Sequence, residues 1–476
     1  MQTPETLTLV RPSKRQLRIT HMAFYAFIHF TVNTFTGREW GDGTESPSVF
    51  NPVSLNCMQW AESVRDGGMK GIILTCKHHD GFCLWPSQFT EHSVKNSPWK
   101  NGTGDVVREL SDACRKTGLA FGIYLSPWDR HEPTYGQGKP YDDYFVHQLE
   151  ELLTDYGPIF SVWFDGACGE GKNGKKQYYD WDRYYETVRK LQPDACISVC
   201  GPDIRWCGNE AGQTRESEWS VVPARMVDTE RIASLSQQTD DASFRRRPLR
   251  AQDMDLGSRE LVRDEPDLIW YPAEVNTSIR PGWFYHSEED NQIKSLNMLK
   301  DIYLRAVGGN ASFLLNIPPA PSGLMADVDV QRLHELGTWI RESFRTSLLT
   351  GDMASASSCQ PQHPISCAVL DDASYWQSAF PSATITIQLS EPTRLSYLVM
   401  REYIELSQRI ENYAIDVFSD DWKTLYTGTT VGSQKIVPLH ALRASALRIR
   451  IQASRMEPTL SFLALYAETE LTFSGA

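Results

Sequence analysis

Phe160-Ser161-Val162-Trp163-Phe164-Asp165-Gly166 decides the fold. Large apolar residues on both faces of one short run read as a fully buried strand, and the run ends in a carboxylate and a glycine. In a barrel of alternating strands and helices, that C-terminal tip is where chemistry is placed. A lone strand-end Asp also serves as a turn or helix cap. Two other strand ends give Asp165 company. Lys77-His78-His79-Asp80-Gly81-Phe82 closes one, and Gly208-Asn209-Glu210 follows another.

Working outward, residues 1–350 alternate in a strand–helix rhythm. Strand-like runs cover 24–30, 71–76, 119–126, 195–200, 267–275 and 312–317. Amphipathic runs at 58–66, 105–114, 142–156, 182–191, 291–307 and 328–344 read as helices, with Gly118 as a C-terminal cap. This predicts a (β/α)8-like barrel of seven or eight units, its closure left open. The polar stretch 209–266 reads as a long surface loop over the barrel mouth, with Arg245-Arg246-Arg247 as a solvated face. After the small-residue linker 353–358, alternating segments such as 383–389 and 446–451 predict an antiparallel β-sandwich over 351–476. Supporting the barrel is the plainer reading of that sandwich, and glycan binding through Tyr375, Trp376 and Trp422 the alternative.

The 476-residue chain suits one large enzyme domain with a smaller companion. A formal net charge of −13 argues against nucleic acid, whose phosphates need basic stripes. No run of 18 or more apolar residues predicts a membrane span. The start, Met1-Gln2-Thr3-Pro4-Glu5, lacks the layout of a signal peptide. Location stays open: periplasmic or secreted if a signal was removed, otherwise cytoplasmic. The ten scattered cysteines form no Cys-x-x-Cys pair and read mostly as free thiols. Oligomeric state is not legible.

Strand ends of a barrel converge on one rim. There the sequence collects His29, Glu39, Trp40, His78, His79, Tyr124, Trp128, Trp163, Asp165, Glu210 and Trp283. Aromatic faces pack on the C–H surfaces of sugars while polar groups bond hydroxyls, and glycoside hydrolysis needs a carboxylate pair. Metal binding by His78 and His79 is the rival reading. Adjacent histidines on a strand point to opposite faces and can rarely hold one ion, so no metal is expected, and the glycoside-hydrolase reading calls for no cofactor.

The chain resembles glycoside hydrolase family 29, the retaining α-L-fucosidases. Five motifs carry the likeness: Phe27-Ile28-His29-Phe30, Lys77-His78-His79-Asp80-Gly81-Phe82, Gly122-Ile123-Tyr124-Leu125-Ser126, Trp163-Phe164-Asp165-Gly166 and Gly309-Asn310-Ala311-Ser312-Phe313-Leu314-Leu315-Asn316. Gly37-Arg38-Glu39-Trp40-Gly41 and Gly208-Asn209-Glu210-Ala211-Gly212 resemble the branch (subfamily B) that prefers α-1,3/1,4-linked fucose on branched, Lewis-type glycans. Thr31 stands where that branch often has Gly. The resemblance implies Asp165 as nucleophile and Glu210 as general acid/base; Glu216, Glu218 and Glu274, nearby in sequence or on the rim, are the rival acids. It implies that His29, His78, His79, Tyr124 and Trp163 hold fucose, that Glu39 and Trp40 contact its hydroxyls, and that Trp283 covers its methyl face. Trp128 belongs to the same rim. The C-terminal sandwich resembles galactose-binding-like modules. Fucosylated oligosaccharides or glycoconjugates are the implied partners. Broader linkage specificity, or a fucose-binding protein without catalysis, is the alternative.

Overall fold

A computed structural model describes residues 1–241, 243, 244, 247 and 254–468. Eight parallel strands form a nearly closed barrel: β1 (Phe24–Ile28), β2 (Gly71–Lys77), β3 (Ala120–Leu125), β4 (Ile159–Phe164), β5 (Cys196–Val199), β6 (Arg205–Trp206), β7 (Ala273–Ser278) and β8 (Ala311–Asn316). Their order is β5-β4-β3-β2-β1-β8-β7-β6. A single parallel bridge, Ser198 to Ile204, joins the two ends.

Burial on both faces explains why these strands read as unbroken apolar runs. On β1, Phe24, Ala26 and Ile28 pack outward with the helices, while Tyr25 and Phe27 turn into the barrel with Trp163, Cys196 and Leu314. Helices α1 (Cys57–Asp66), α2 (Val106–Thr117), α3 (Lys139–Asp155), α4 (Trp181–Leu191), α5 (Leu296–Ala306) and α6 (Asp327–Ser343) cover the outside. Their ends follow local chemistry. Asn56 Oδ1 accepts the amides of Met58 and Gln59 at the start of α1. Asp105 caps α2 through the Arg108 amide at 2.8 Å, and Gly118, at φ +76°, ends it.

The rhythm lapses twice. Residues 200–204 link β5 to β6 with no helix, and 207–272 replace the helix after β6. The expected strand over 267–275 is two strands. Leu268–Trp270 leaves the barrel to pair antiparallel with Val221–Pro223, and Pro272, which has no amide hydrogen, separates it from β7. The described part of the expected surface loop therefore carries secondary structure and buried side chains of its own. Trp219, Val221, Val222 and Leu256 are buried in it, and Thr229–Leu235 is helical. Of the arginine triplet, Arg245 and Arg246 lie outside the described residues; Arg247 is exposed and pairs with Asp241.

Further along the chain, β9 (Ala354–Ala356), β10 (Ala383–Arg401), β11 (Ile410–Phe418), β12 (Trp422–Gly428), β13 (Lys435–Ser454) and β14 (Phe462–Ala467) form an antiparallel, sandwich-like sheet. Irregular register between Gln388 and Thr393 and between Leu395 and Tyr397 interrupts the long β10–β13 ladder. Ile385, Ile387, Ile415, Leu447 and Ile449 fill its core. All ten cysteines are free thiols, eight of them buried. No helix among the described residues is long and apolar enough to cross a membrane.

Candidate active site

A cavity opens at the C-terminal ends of the barrel strands. Its acidic lining residues are Asp165 and Glu210. Asp165 is the first residue past β4. Its Oδ2 accepts the Tyr124 hydroxyl at 2.9 Å, and its Oδ1 accepts the Ala167 amide at 2.8 Å. Its side chain keeps 22% exposure, yet the dense surrounding shell of protein raises its pKa, and the two donors oppose that rise.

Glu210 sits in the turn after β6. Asn209 staples that turn: its Oδ1 accepts the amides of Ala211 and Gln213, and its Nδ2 donates to the Gln213 carbonyl. Trp206 Nε1 adds a bond to the Asn209 carbonyl at 3.2 Å. The Trp283 indole then donates to Glu210 Oε2 at 3.0 Å.

The rival acids stand elsewhere. Glu218 lies between Arg205 and Arg215, which hold its pKa down at about 2 against the opposing push of burial. Glu216 lines a different groove, against the C-terminal sheet. Glu274 is 1% exposed inside the barrel, where it accepts Trp163 Nε1 at 2.7 Å and the Tyr25 hydroxyl at 2.5 Å.

His78 and His79 both line the cavity, with rings 4.1 Å apart. Strand alternation would have separated them. It does not apply, because β2 ends at Lys77 and the pair lies in a turn closed by the Gly81 amide on the His78 carbonyl. Burial lowers both, His79 to about 3, so the rings are neutral at ordinary pH. Ser126 donates its hydroxyl to the Trp128 carbonyl, so it accepts Nδ1–H of His79 at 2.7 Å. Nε2 of His79 is then an acceptor, 3.8 Å from Asp165 Oδ2. His29 follows the same logic. Asn316 Nδ2 donates to Ser278 Oγ and the Trp283 carbonyl, so its Oδ1 accepts Nδ1–H of His29 at 2.8 Å. Burial lowers His29 to about 4. His78 Nδ1 is buried without a protein partner.

Tyr124, Trp163, Trp40 and Trp283 supply the aromatic walls. Trp283 lies 5.1 Å from the His29 ring, and Trp40 stands edge-on to His79 at 5.2 Å. Two expected members stand one layer back. Glu39 does not line the cavity; its carboxylate accepts the Trp283 and Phe284 amides and pairs with His286 Nε2 at 2.8 Å. Trp128 packs behind His79 and Trp40, its indole donating to the Glu170 carbonyl. Trp206, Asn276, Ser236 and Gln237 line the cavity without having been expected. Asn276 was detectable as a polar residue two positions beyond Glu274 on one strand face. Ser236 and Gln237 follow the insertion's helix, where no local pattern marks a wall. Thr31 is not a wall residue. Its hydroxyl donates to Asp80 Oδ2 at 2.9 Å and ties the end of β1 to the His78-His79 turn. Among the described residues, no three His, Cys, Asp or Glu side chains are grouped to hold a metal ion.

A model of the alpha-L-fucosidase family matches residues 14–343. Alpha-L-fucosidase 1 of Arabidopsis thaliana is 38% identical over 480 residues, spanning 98% of this chain and 88% of that protein. A glycoside hydrolase 29 family member from an unknown rumen bacterium matches with a TM-score of 0.80 at 38% identity, covering 98% of this chain and 78% of that one. A Ruminococcus gnavus glycoside hydrolase 29 fucosidase, solved in complex with fucose, matches with a TM-score of 0.83 at 29% identity, covering 97% of this chain and 95% of that one. With the family's pattern running through the whole barrel and the likeness extending along nearly the full chain, this protein belongs to the alpha-L-fucosidase family.

Proposed function

We propose that the protein is an exo-acting, retaining α-L-fucosidase that removes terminal α-1,3/1,4-linked L-fucose from branched, Lewis-type oligosaccharides or glycoconjugates. The observation that carries the reading is one cavity lined by both Asp165 and Glu210, with neutral imidazoles and indole faces around them. Relatives named as fucosidases support the sugar, and the Ruminococcus gnavus relative was solved with fucose bound. The likeness of 37–41 and 208–212 to the α-1,3/1,4 branch supports the linkage.

Asp165 is the nucleophile in this reading. Its carboxylate attacks the anomeric carbon and forms a covalent fucosyl-enzyme as the glycosidic bond breaks. Glu210 gives its proton to the departing oxygen, then takes one from the water that releases fucose. Retention calls for carboxyl groups roughly 5–5.5 Å apart. His29 and His79 offer Nε2 lone pairs to fucose hydroxyls, and the unpartnered Nδ1 of His78 is a further bonding atom. Trp40 and Trp283 cover the sugar's C–H faces. Glu39 acts through Trp283, and Trp128 backs His79 and Trp40. Residues 1–350 form the catalytic unit, and 351–476 support it.

A digestion panel of α-1,2-, α-1,3-, α-1,4- and α-1,6-fucosylated oligosaccharides tests the proposal. Cleavage of 1,3 and 1,4 links is expected, strongest where galactose branches on the same sugar. Efficient α-1,2 hydrolysis with no action on branched glycans overturns the linkage assignment. Release of no fucose from any substrate overturns the activity.

A further inference from the structure

Glu274 is an acid in the interior of the barrel whose partners are both uncharged. On β7 it pairs in register with Ser312 of β8 and Trp206 of β6. One oxygen accepts the Trp163 indole and the other the Tyr25 hydroxyl. Burial in such surroundings disfavours the charged form of the carboxyl, and its two donors oppose that penalty. Trp163 is a donor only and is a wall of the cavity two residues before Asp165. Its ring lies 5.1 Å from Phe27 and 5.3 Å from Tyr124, the residue that donates to Asp165.

We infer that Glu274 is a positioning residue for fucose hydrolysis: its carboxylate fixes the Trp163 indole, and through it the cavity floor and the Tyr124–Asp165 pair. The inference rests on the function proposed above but concerns a group that touches neither sugar nor nucleophile. Only a carboxylate accepts from both neighbours with each oxygen. Once protonated, Glu274 must turn its own O–H toward Tyr25, which then has to accept. Ser312 sits beside Tyr25 as a further hydroxyl in that relay. Burial pushes Glu274 up to about 7, so the exchange falls near neutral pH. The titratable groups facing it and Tyr25 do not compete there. Burial raises Tyr25, Tyr124 and Cys196 well above their ordinary values.

The test compares Glu274→Gln, Glu274→Ala and Trp163→Phe in the full chain, with an aryl α-L-fucoside as substrate. Glu274→Ala is expected to lower kcat/KM by about 10- to 100-fold, the worth of a hydrogen bond to a charged group. Glu274→Gln keeps the Trp163 acceptor and is expected to recover most of that loss. It should also lose any step in kcat/KM near neutral pH. An activity-independent readout accompanies it. The absorption difference between wild type and Trp163→Phe should titrate near pH 7 in the Glu274 background and stay flat in the Glu274→Gln background. Wild-type kinetics in folded Glu274→Ala, or an unchanged titration in Glu274→Gln, overturns the inference. Inactive wild type overturns the proposed function instead, and the absorption titration then still decides the role of Glu274. If Glu274→Ala fails to fold, Glu274→Gln and the absorption titration carry the decision.

Discussion

The indole N–H of Trp283 points at Glu210 Oε2 from 3.0 Å, and Trp283 itself hangs by its backbone amide from Glu39 Oε2 at 2.7 Å. One carboxylate thus holds the residue that holds the other. Trp283→Phe keeps the ring and removes the donor. It is expected to slow natural oligosaccharides, whose leaving groups need protonation, more than aryl fucosides with good leaving groups. Glu39→Gln should show the same asymmetry in milder form. Equal losses on both substrate types would place Trp283 in sugar binding alone.

In the proposed mechanism Asp165 reacts as an anion, so its ionisation should set the acid limb of activity. Burial raises its pKa, and the Tyr124 hydroxyl lowers it. Tyr124→Phe removes the lowering partner, so the folded pKa rises and the acid limb moves to higher pH. Asp165→Ala is expected to abolish turnover of aryl and natural fucosides alike. A pH–rate series on Tyr124→Phe checks the direction; an acid limb that stays put or moves down removes Tyr124 from this role.

Glu210→Ala should spare aryl fucosides more than natural ones, with azide partly restoring the rate by attacking the fucosyl-enzyme. The rival is Glu274, held inside the barrel by Tyr25 and Trp163. Rescue of Glu274→Ala by azide, with none for Glu210→Ala, reverses the assignment.

The sequence made much of this site legible because barrels impose a simple rule: strand ends converge. The rim position of His29, Tyr124, Trp163 and Asp165 follows from their places at strand ends, while their roles came only with the family resemblance. Other features depend on packing that no local pattern encodes. Glu39 and Trp128 have the right chemistry for sugar contact, and only tertiary structure places them behind the wall. His78 and His79 share one cavity because β2 stops at Lys77, two residues short of what strand alternation would need to separate them. The strand read across 267–275 divides at Pro272, whose missing amide hydrogen was readable, whereas the small core in the described part of 207–272 was not. Its buried Glu218, Trp219 and Leu256 are scattered among polar residues, so no periodicity announced a core.

Asp80 couples that folding to pH. It is buried, accepts the Phe82 amide and the Thr31 hydroxyl, and is pushed up to about 7 by desolvation. The folded state therefore binds this proton more tightly than the unfolded chain, whose Asp titrates near ~3.9. Between those values the native state holds more protons, so this group's contribution to stability falls as pH rises through the window. Asp329, raised to about 6, acts in the same direction. Asp80→Asn should flatten the decline in melting temperature between about pH 4 and 7, the span from the unfolded to the folded value. A slope unchanged in Asp80→Asn would show that Asp80 loses its proton over the same pH range in the folded and unfolded states.

Glu218 supplies the opposite case and the firmest handle on the insertion. Its two oxygens meet Arg205 of β6 at 2.7 Å and Arg215 at 3.2 Å, and one also takes the Arg215 amide at 3.0 Å. All three side chains are almost fully buried. Removing the acid takes the buried carboxylate away from two guanidiniums, which costs about 3–5 kcal/mol in comparable buried pairs. Its folded pKa, near 2, lies below the ordinary value, so this stability is present at neutral pH and lost only as pH falls below the usual carboxylate range. Glu218→Gln is therefore expected to lower the melting temperature at pH 7 and to lose that deficit in acid. Because the same cluster anchors the chain on either side of Glu210, kcat on natural oligosaccharides should fall with it, while KM for a small aryl fucoside changes less. A variant that melts like wild type at pH 7 would show that the two arginines find other partners, and that the Glu210 turn does not depend on this anchor.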